Sequence, residues 1–110
     1  MKIDIISDEA SCMTLSLEGD LDFHAATELR NQLANIPEKK PPKILVNLKR
    51  LQYIDSTGLA VFVELFQKVK AYNGKLAFFG LTSPVRKIFK SAKLDSLFKI
   101  AKTEKEAAAV

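Results

Sequence analysis

The first twenty residues alternate between apolar and polar positions, as half-buried strands do. Residues 13–17 run Met-Thr-Leu-Ser-Leu, so one face of that strand is predicted to be buried. Residues 3–6 contain three isoleucines, and the mainly polar sequence Asp-Glu-Ala-Ser at 8–11 separates the two apolar sets. The pattern predicts a β-hairpin with its turn at residues 8–11, and Gly19 is predicted to end its second strand.

The pattern then changes to apolar positions three or four residues apart, which is typical of a helix that packs on a core. Asp22 is placed to cap the start of this helix, and Pro37 is predicted to end it. The core-facing positions are Ala26, Leu29, Leu33 and Ile36.

A short continuous apolar run, Ile44–Val46, suits a central strand that is covered on both faces. Leu51 and Ile54 are expected to fold the loop after this strand onto the core. A dense apolar stretch then predicts a second helix over residues 57–72, which Asn73-Gly74 would end in a left-handed conformation.

The last third of the chain repeats the same alternation of strand and helix. We predict a buried strand at residues 76–79 and a helix that starts at the Thr-Ser-Pro sequence 82–84. A short strand at residues 98–101 and a last helix after Thr103 are predicted to follow. The order β-β-α-β-α-β-α-β-α predicts an α/β fold with a mixed sheet of about five strands and about four helices. We expect one domain, 1–110.

Composition places the chain among ordinary globular proteins. Hydrophobic residues make up 47% and charged residues 27%, as is usual for soluble domains. No apolar run approaches the roughly 18 residues needed to cross a bilayer, and the first residues lack the apolar stretch of a secretory signal. We therefore expect a cytoplasmic protein that does not act on membranes.

Charge and metal-binding residue types exclude further classes of function. The net charge is +4, but the basic residues are spread in short groups without alternating aromatics, so we expect a solvated surface and no nucleic-acid binding. Cys12 is the one cysteine and cannot form an internal disulfide, and His24 is the one histidine. We expect neither a metal site nor a cofactor.

The candidate chemistry lies in Asp55-Ser56-Thr57-Gly58, between the central strand and the second helix. The start of a helix has free N–H groups and a positive dipole end, so it favours a negative group such as phosphate. One Asp, Ser or Thr suffices for a cap, whereas this sequence has three before a glycine that weakens a helix by roughly 0.5–1 kcal/mol. From the residues alone, a plain helix cap and a functional site stay equally open.

The sequence offers no catalytic constellation. A Gly-x-Ser-x-Gly elbow and a phosphate-binding Gly-x-x-x-x-Gly-Lys loop are both missing from the chain. Asp20 and Asp22 could pair as acid and base, but both precede a helix in an ordinary polar turn, and Ser56 has no base to activate it except His24. We therefore predict that the chain is not an enzyme.

Two motifs stand out together: Leu-Glu-Gly-Asp-Leu-Asp at 17–22 and Ile-Asp-Ser-Thr-Gly-Leu at 54–59. With them the chain resembles the STAS-domain family, of the bacterial anti-sigma factor antagonist type. The family fold agrees with the order of elements above. Supporting matches lie at residues 73–76, 83–89 and 94–100, so the resemblance covers nearly the whole chain.

The resemblance implies a regulatory switch. In the family, a serine at the position of Ser56 is phosphorylated by an anti-sigma factor that is itself a serine kinase. A serine phosphatase removes the phosphate. The effect of the switch on a sigma factor is indirect. Asp22 matches an aspartate near that serine. Asp20 replaces the usual glutamate and keeps its charge. The residues expected to bind the partner are Asp20, Asp22, Asp55, Ser56, Thr57, Gly58, Leu59 and Phe62.

In this interpretation the chain needs no cofactor of its own, because ATP belongs to the kinase. Leu59, Phe62 and Val63 would supply part of the contact, although core packing suits at least two of them better. Two alternatives stay open: a STAS scaffold that is never phosphorylated, and a carrier protein modified with phosphopantetheine on Ser56. The positive charge, the many predicted strands and the intervening Thr57-Gly58 count against the carrier.

Overall fold

A five-stranded mixed sheet forms the centre of the computed structural model, which describes residues 1–7 and 12–110. Its strands lie in sequence order across the sheet. The first two are antiparallel and the others run parallel. The mixed sheet is therefore confirmed, whereas the turn predicted at residues 8–11 lies outside the described residues. The strands are β1 (Lys2–Ser7), β2 (Cys12–Leu21), β3 (Lys43–Ile54), β4 (Lys75–Phe79) and β5 (Lys99–Ala101).

Four helices confirm the predicted ones, and a fifth is a single turn that the sequence pattern did not predict. The helices are α1 (Phe23–Leu33), α2 (Ile36–Lys39), α3 (Ser56–Ala71), α4 (Ser83–Ser91) and α5 (Glu104–Ala108). The single turn is α2. None of the described helices is long and apolar enough to cross a membrane.

The main core lies on one face of the sheet, under α1, α3 and α4. Four aromatic rings at its centre have centroids 4.7 to 6.1 Å apart and join α3, β4, α4 and the residue before β5. On the opposite face, α5 places Ala107 against Leu45, Ala77 and Phe79. The four rings belong to Phe62, Phe78, Phe89 and Phe98.

The long strands β2 and β3 differ most from the sequence prediction. β2 was expected to end at Gly19 but continues to Leu21, and the supposed loop around Leu51 and Ile54 is part of β3. The pairing shifts register twice near the end of β2, and each shift gives β3 one extra residue. Such bulges break the two-residue alternation, so the buried residues of β3 recur there every three residues and resemble a loop.

The boundary of α1 also differs from the prediction. The helix ends at Leu33, and Ile36 begins the separate turn α2 with its side chain 5% exposed. Pro37 therefore lies in the first turn of a new helix, where a missing N–H costs little, and the expectation that it ends the previous helix is wrong.

Gly58 lets the start of α3 pack directly on the ends of β2 and β3. A Cβ atom there would lie 2.7 Å from Leu21 Cγ, 2.8 Å from the Leu21 carbonyl oxygen and 2.9 Å from Ile54 Cγ1. The backbone oxygen cannot rotate away, so the contact permits only glycine without a shift. The sequence-based expectation that Gly58 admits a partner is corrected, because the chain's own strands fill that space.

We expect Gly58→Ala to lower the free energy of unfolding by about 1–2 kcal/mol, because overpacking costs about 1–3 kcal/mol and outweighs a helix-propensity gain of up to about 1 kcal/mol. Urea denaturation measures the change. Ala60→Gly is the matched control at an exposed position of the same helix, and it should cost up to about 1 kcal/mol. A stabilised Gly58→Ala would contradict the packing argument.

Candidate functional site

The ends of β2 and β3 bring two helix starts to the same edge of the sheet. Leu21 lies opposite Ile54 in the pairing, and the N–H of Asp55 donates to the Leu21 carbonyl at 3.4 Å. Asp22 and Asp55 follow directly, and each caps the helix that begins after it. The two aspartates that were predicted from separate motifs are therefore neighbours through the backbone.

Asp22 caps α1 by accepting a hydrogen bond from the Ala25 N–H at 2.9 Å. This confirms the predicted cap and fixes the direction in which α1 leaves the sheet. The side chain is half-buried, with the rest of its surface open to solvent. Asp22 therefore caps α1 and still has a carboxylate that is partly accessible to solvent.

Asp55 makes a fuller cap for α3. Its Oδ1 accepts from the N–H groups of Thr57 and Gly58, both at 3.1 Å, and from the Thr57 hydroxyl. The Thr57 hydroxyl is the strongest influence that holds the pKa of Asp55 below its usual value. The two backbone donors add to it and burial works against it. The positive end of α3 is therefore already occupied by a carboxylate.

Ser56 is the first residue of α3, and its side chain is exposed. Its hydroxyl makes no hydrogen bond with the described residues, whereas the neighbouring Thr57 hydroxyl is half-buried and donates to Asp55. Of the two adjacent hydroxyls, only that of Ser56 is free to react without breaking a contact. The sequence alone could not distinguish them.

A shallow acidic depression lies beside this helix start. Asp20, Asp22, His24, Glu28 and Gln52 line it. Neither of the two aspartates forms an ion pair within the part of the chain that the structure describes. The depression does not include residues 55–59, so the predicted contact residues form two adjacent groups at one edge of the sheet.

Of the apolar side chains predicted to bind a partner, that of Phe62 is buried and that of Leu59 is half-buried. Phe62 is 0% exposed at the centre of the aromatic core, so the expectation that its side chain contacts a partner is corrected. The apolar excess at the start of α3 is needed to cover both the sheet and α4. Leu59 is half-buried and packs against the same core, which leaves only part of it accessible.

The structure adds two exposed aromatic residues that sequence analysis missed. Phe23 follows Asp22 directly and is 63% exposed, and Tyr53 lies opposite Asp20 in the β2–β3 pairing and is 48% exposed. The signal for Phe23 was present, because it falls outside the buried stripe of α1. The exposure of Tyr53 could not be predicted, because the bulges in β3 interrupt the alternation that shows which side chains point outward.

Among residues 1–7 and 12–110, no group of three or more His, Cys, Asp or Glu side chains could hold a metal ion. His24 is exposed and its ring contacts that of Phe23, with centroids 5.8 Å apart. Among the described residues, this edge exposes the Ser56 hydroxyl, several carboxylates and the aromatic side chains of Phe23 and Tyr53.

Comparison with known proteins identifies the family. Residues 5–107 match the STAS domain, and the chain belongs to this family. The anti-sigma-B factor antagonist of Bacillus subtilis is 33% identical over 91 residues, which cover 82% of this chain and 83% of that protein. The family resemblance deduced from the two motifs is confirmed.

Solved structures confirm the fold. A crystal structure from Thermotoga maritima superposes with a TM-score of 0.90 at 21% identity and covers 97% of this chain and 92% of its own. The Bacillus cell fate determinant SpoIIAA in its phosphorylated form superposes with a TM-score of 0.76 at 23% identity, covering 98% of this chain and 97% of that one. The family and the sheet argue against the carrier-protein alternative.

We expect Asp55→Ala to lower the free energy of unfolding by about 1 kcal/mol near neutral pH, which is the usual cost of losing an N-cap. The pKa of Asp55 is lower in the folded chain than in the unfolded chain. Its stabilisation is therefore complete above the unfolded value of about 3.9 and is lost as the pH falls through the folded value. The difference between wild type and variant should shrink below about pH 4.

Urea denaturation across this pH range measures the effect of Asp55→Ala. Asp95→Ala is the control, because Asp95 is exposed and its carboxylate accepts no hydrogen bond from the described residues. It should change the free energy of unfolding by less than about 0.5 kcal/mol. Equal losses in the two variants would show that the Asp55 cap is energetically unimportant.

Proposed function

We propose that this chain is a cytoplasmic anti-sigma factor antagonist that is switched off by phosphorylation of Ser56. Unmodified, it binds an anti-sigma factor that is also a serine kinase, which releases a sigma factor; a serine phosphatase resets the modified form. The observation that carries the proposal is the exposed Ser56 hydroxyl, which has no hydrogen-bond partner among the described residues, at the start of α3. The names of the relatives support the regulatory role.

A phosphate on Ser56 would add about −1.5 to −2 charges. The Thr57 and Gly58 N–H groups of α3 already donate to the Asp55 carboxylate, so a phosphate on Ser56 would compete with that carboxylate for them. The Asp55, Asp20 and Asp22 carboxylates have no ion-pair partner within the described chain. The added charge would therefore stay largely uncompensated and face any docked partner.

Direct blocking needs no change of fold. The Ser56 side chain is exposed and supports no internal contact in the described structure, so a phosphate there displaces nothing. A partner fitted to the neutral hydroxyl would meet both added bulk and an added charge that must be desolvated. Such an uncompensated interfacial charge costs several kcal/mol.

The partner-binding surface in this proposal surrounds Ser56. Phe23 and Tyr53 are the apolar anchors, because exposed aromatic residues of this kind dominate binding energy at interfaces. The polar rim consists of Asp20, Asp22 and Asp55, with Thr57 and the accessible part of Leu59. Gly58 and Phe62 support this surface from below. The chain itself catalyses nothing in this scheme, and its partner supplies ATP.

We expect Ser56→Ala to bind the anti-sigma factor as wild type does and Ser56→Asp to bind about a hundredfold more weakly, since about 3 kcal/mol of repulsion corresponds to that factor. Isothermal titration calorimetry with the purified anti-sigma factor measures both affinities. Ser96→Asp, at an exposed position between α4 and β5, adds the same charge elsewhere and should leave the affinity unchanged.

A separate experiment identifies the residue that accepts the phosphate: the chain is incubated with ATP and the kinase and then analysed by mass spectrometry. Wild type and Thr57→Val should carry one phosphate on Ser56, whereas Ser56→Ala should carry none. Transfer to Thr57 would contradict the proposed site. If the wild type received no phosphate and Ser56→Asp bound normally, the scaffold alternative would replace the switch.

We expect Phe23→Ala and Tyr53→Ala each to weaken binding to the anti-sigma factor at least about fivefold, because aromatic anchors that become buried in a complex contribute more than about 1 kcal/mol. The free energy of unfolding should change by less than about 0.5 kcal/mol. Ile6→Ala on β1 is the matched control, since Ile6 is 62% exposed against 63% for Phe23. Affinities equal to that of the control would place the interface elsewhere.

A further inference from the structure

A second depression lies at the other end of α3 from Ser56. The last turns of α3, the start of β4, the residues leading into β5 and Val110 form its walls, and it encloses about 280 Å³. Its apolar lining consists of Phe66, Val69, Leu76, Leu97 and Val110. The depression lies at the amino ends of β4 and β5, whereas Ser56 lies at the opposite end of α3. The two sites share no residue.

The apolar surface here is too small for a protein interface. Leu97 is 44% exposed, and it is the one strongly exposed large apolar residue in this part of the described chain. The other exposed large apolar residues lie on β1 or near Ser56. A stable protein partner covers roughly 800 Å² on each side, which is far more than one exposed leucine provides. A concave, mainly apolar hollow of this size instead suits a small molecule.

Three lysines surround the depression: Lys70, Lys75 and Lys99. All three are exposed, none forms an ion pair within residues 1–7 and 12–110, and no Asp or Glu lines the walls. The Lys70 ammonium lies 5.9 Å from the centroid of the Phe66 ring, which brings positive charge directly to the apolar wall. Apolar walls with three lysines at the rim complement an amphipathic anion.

We propose that this depression binds a medium-chain carboxylate, represented by octanoate. Its alkyl chain would lie against Phe66, Leu76 and Leu97, and its carboxylate would accept hydrogen bonds from the rim lysines. The depression, at about 280 Å³, lies near the lower limit of about 300 Å³ for small-molecule sites, which suits a short ligand of roughly ten heavy atoms such as octanoate. The proposal is independent of the switch at Ser56.

The test is a titration of the full chain with sodium octanoate, followed by ¹H–¹⁵N NMR. We expect saturable shifts in the backbone amides of Lys70, Gly74 and Lys99 and none at Ser56, with a dissociation constant of about 1 mM or tighter. Octylammonium has the same alkyl chain and the opposite charge, and it should bind at least tenfold more weakly.

Two variants locate the ligand. Leu97→Asp and Lys70→Glu should each weaken octanoate binding at least fivefold, because one places a carboxylate against the alkyl chain and the other reverses a rim charge. Lys90→Glu, on the exposed side of α4, is the control for a charge change outside the depression and should bind as wild type does. All variants are compared only after their spectra show a folded chain.

Three results would overturn the proposal. They are a spectrum that octanoate leaves unchanged, equal binding of octanoate and octylammonium, and variants at Leu97 and Lys70 that bind octanoate as well as the Lys90 control. Equal binding of the two amphiphiles would show a general apolar contact without charge recognition. None of these results bears on phosphorylation of Ser56, so the two proposals fail separately.

Discussion

The pairing of β2 with β3 continues to the last residue of each strand, and the edge that carries the candidate site depends on it. Leu21 lies opposite Ile54, its carbonyl accepts the N–H of Asp55, and Gly58 seats α3 on both residues. A side chain at position 58 would push the helix away from the strands. This backbone contact therefore fixes where Ser56 lies relative to Asp20 and Asp22 at the end of β2.

The Asp55 cap determines what a modification at this edge would do. An open helix start would stabilise a phosphate through its N–H groups and dipole, and the modification would then be partly neutralised within the chain. Here the carboxylate of Asp55, which is ionised at neutral pH as aspartates ordinarily are, accepts hydrogen bonds from the Thr57 and Gly58 N–H groups, and these bonds lower its pKa. A group added to Ser56 must therefore be accommodated by solvent or by a partner, which is the condition that a charge-based switch needs.

The order of elements was predictable from the sequence because α1, α3 and α4 keep a regular apolar spacing and because short buried runs separate them. The ends of β2 and β3 were not predictable, because the two bulges make the buried residues of β3 recur every three residues and no longer every two. At the site, the motif predicted Ser56 and its neighbours, but Phe62 is buried and Phe23 and Tyr53 are exposed. Exposure depends on which elements cover a residue, and the apolar pattern alone does not contain that information.

Charge acts over a short range at this edge, and this limits how a phosphate at Ser56 can work. The chain has a net charge of +4, so about two added negative charges roughly halve the net charge and leave its sign unchanged. At physiological ionic strength, exposed charges are screened beyond about 8 Å. The phosphate must therefore act on groups that touch it in the complex. Because contacts of this kind govern dissociation more than encounter, a switch built on Ser56 would work mainly by shortening the lifetime of the complex.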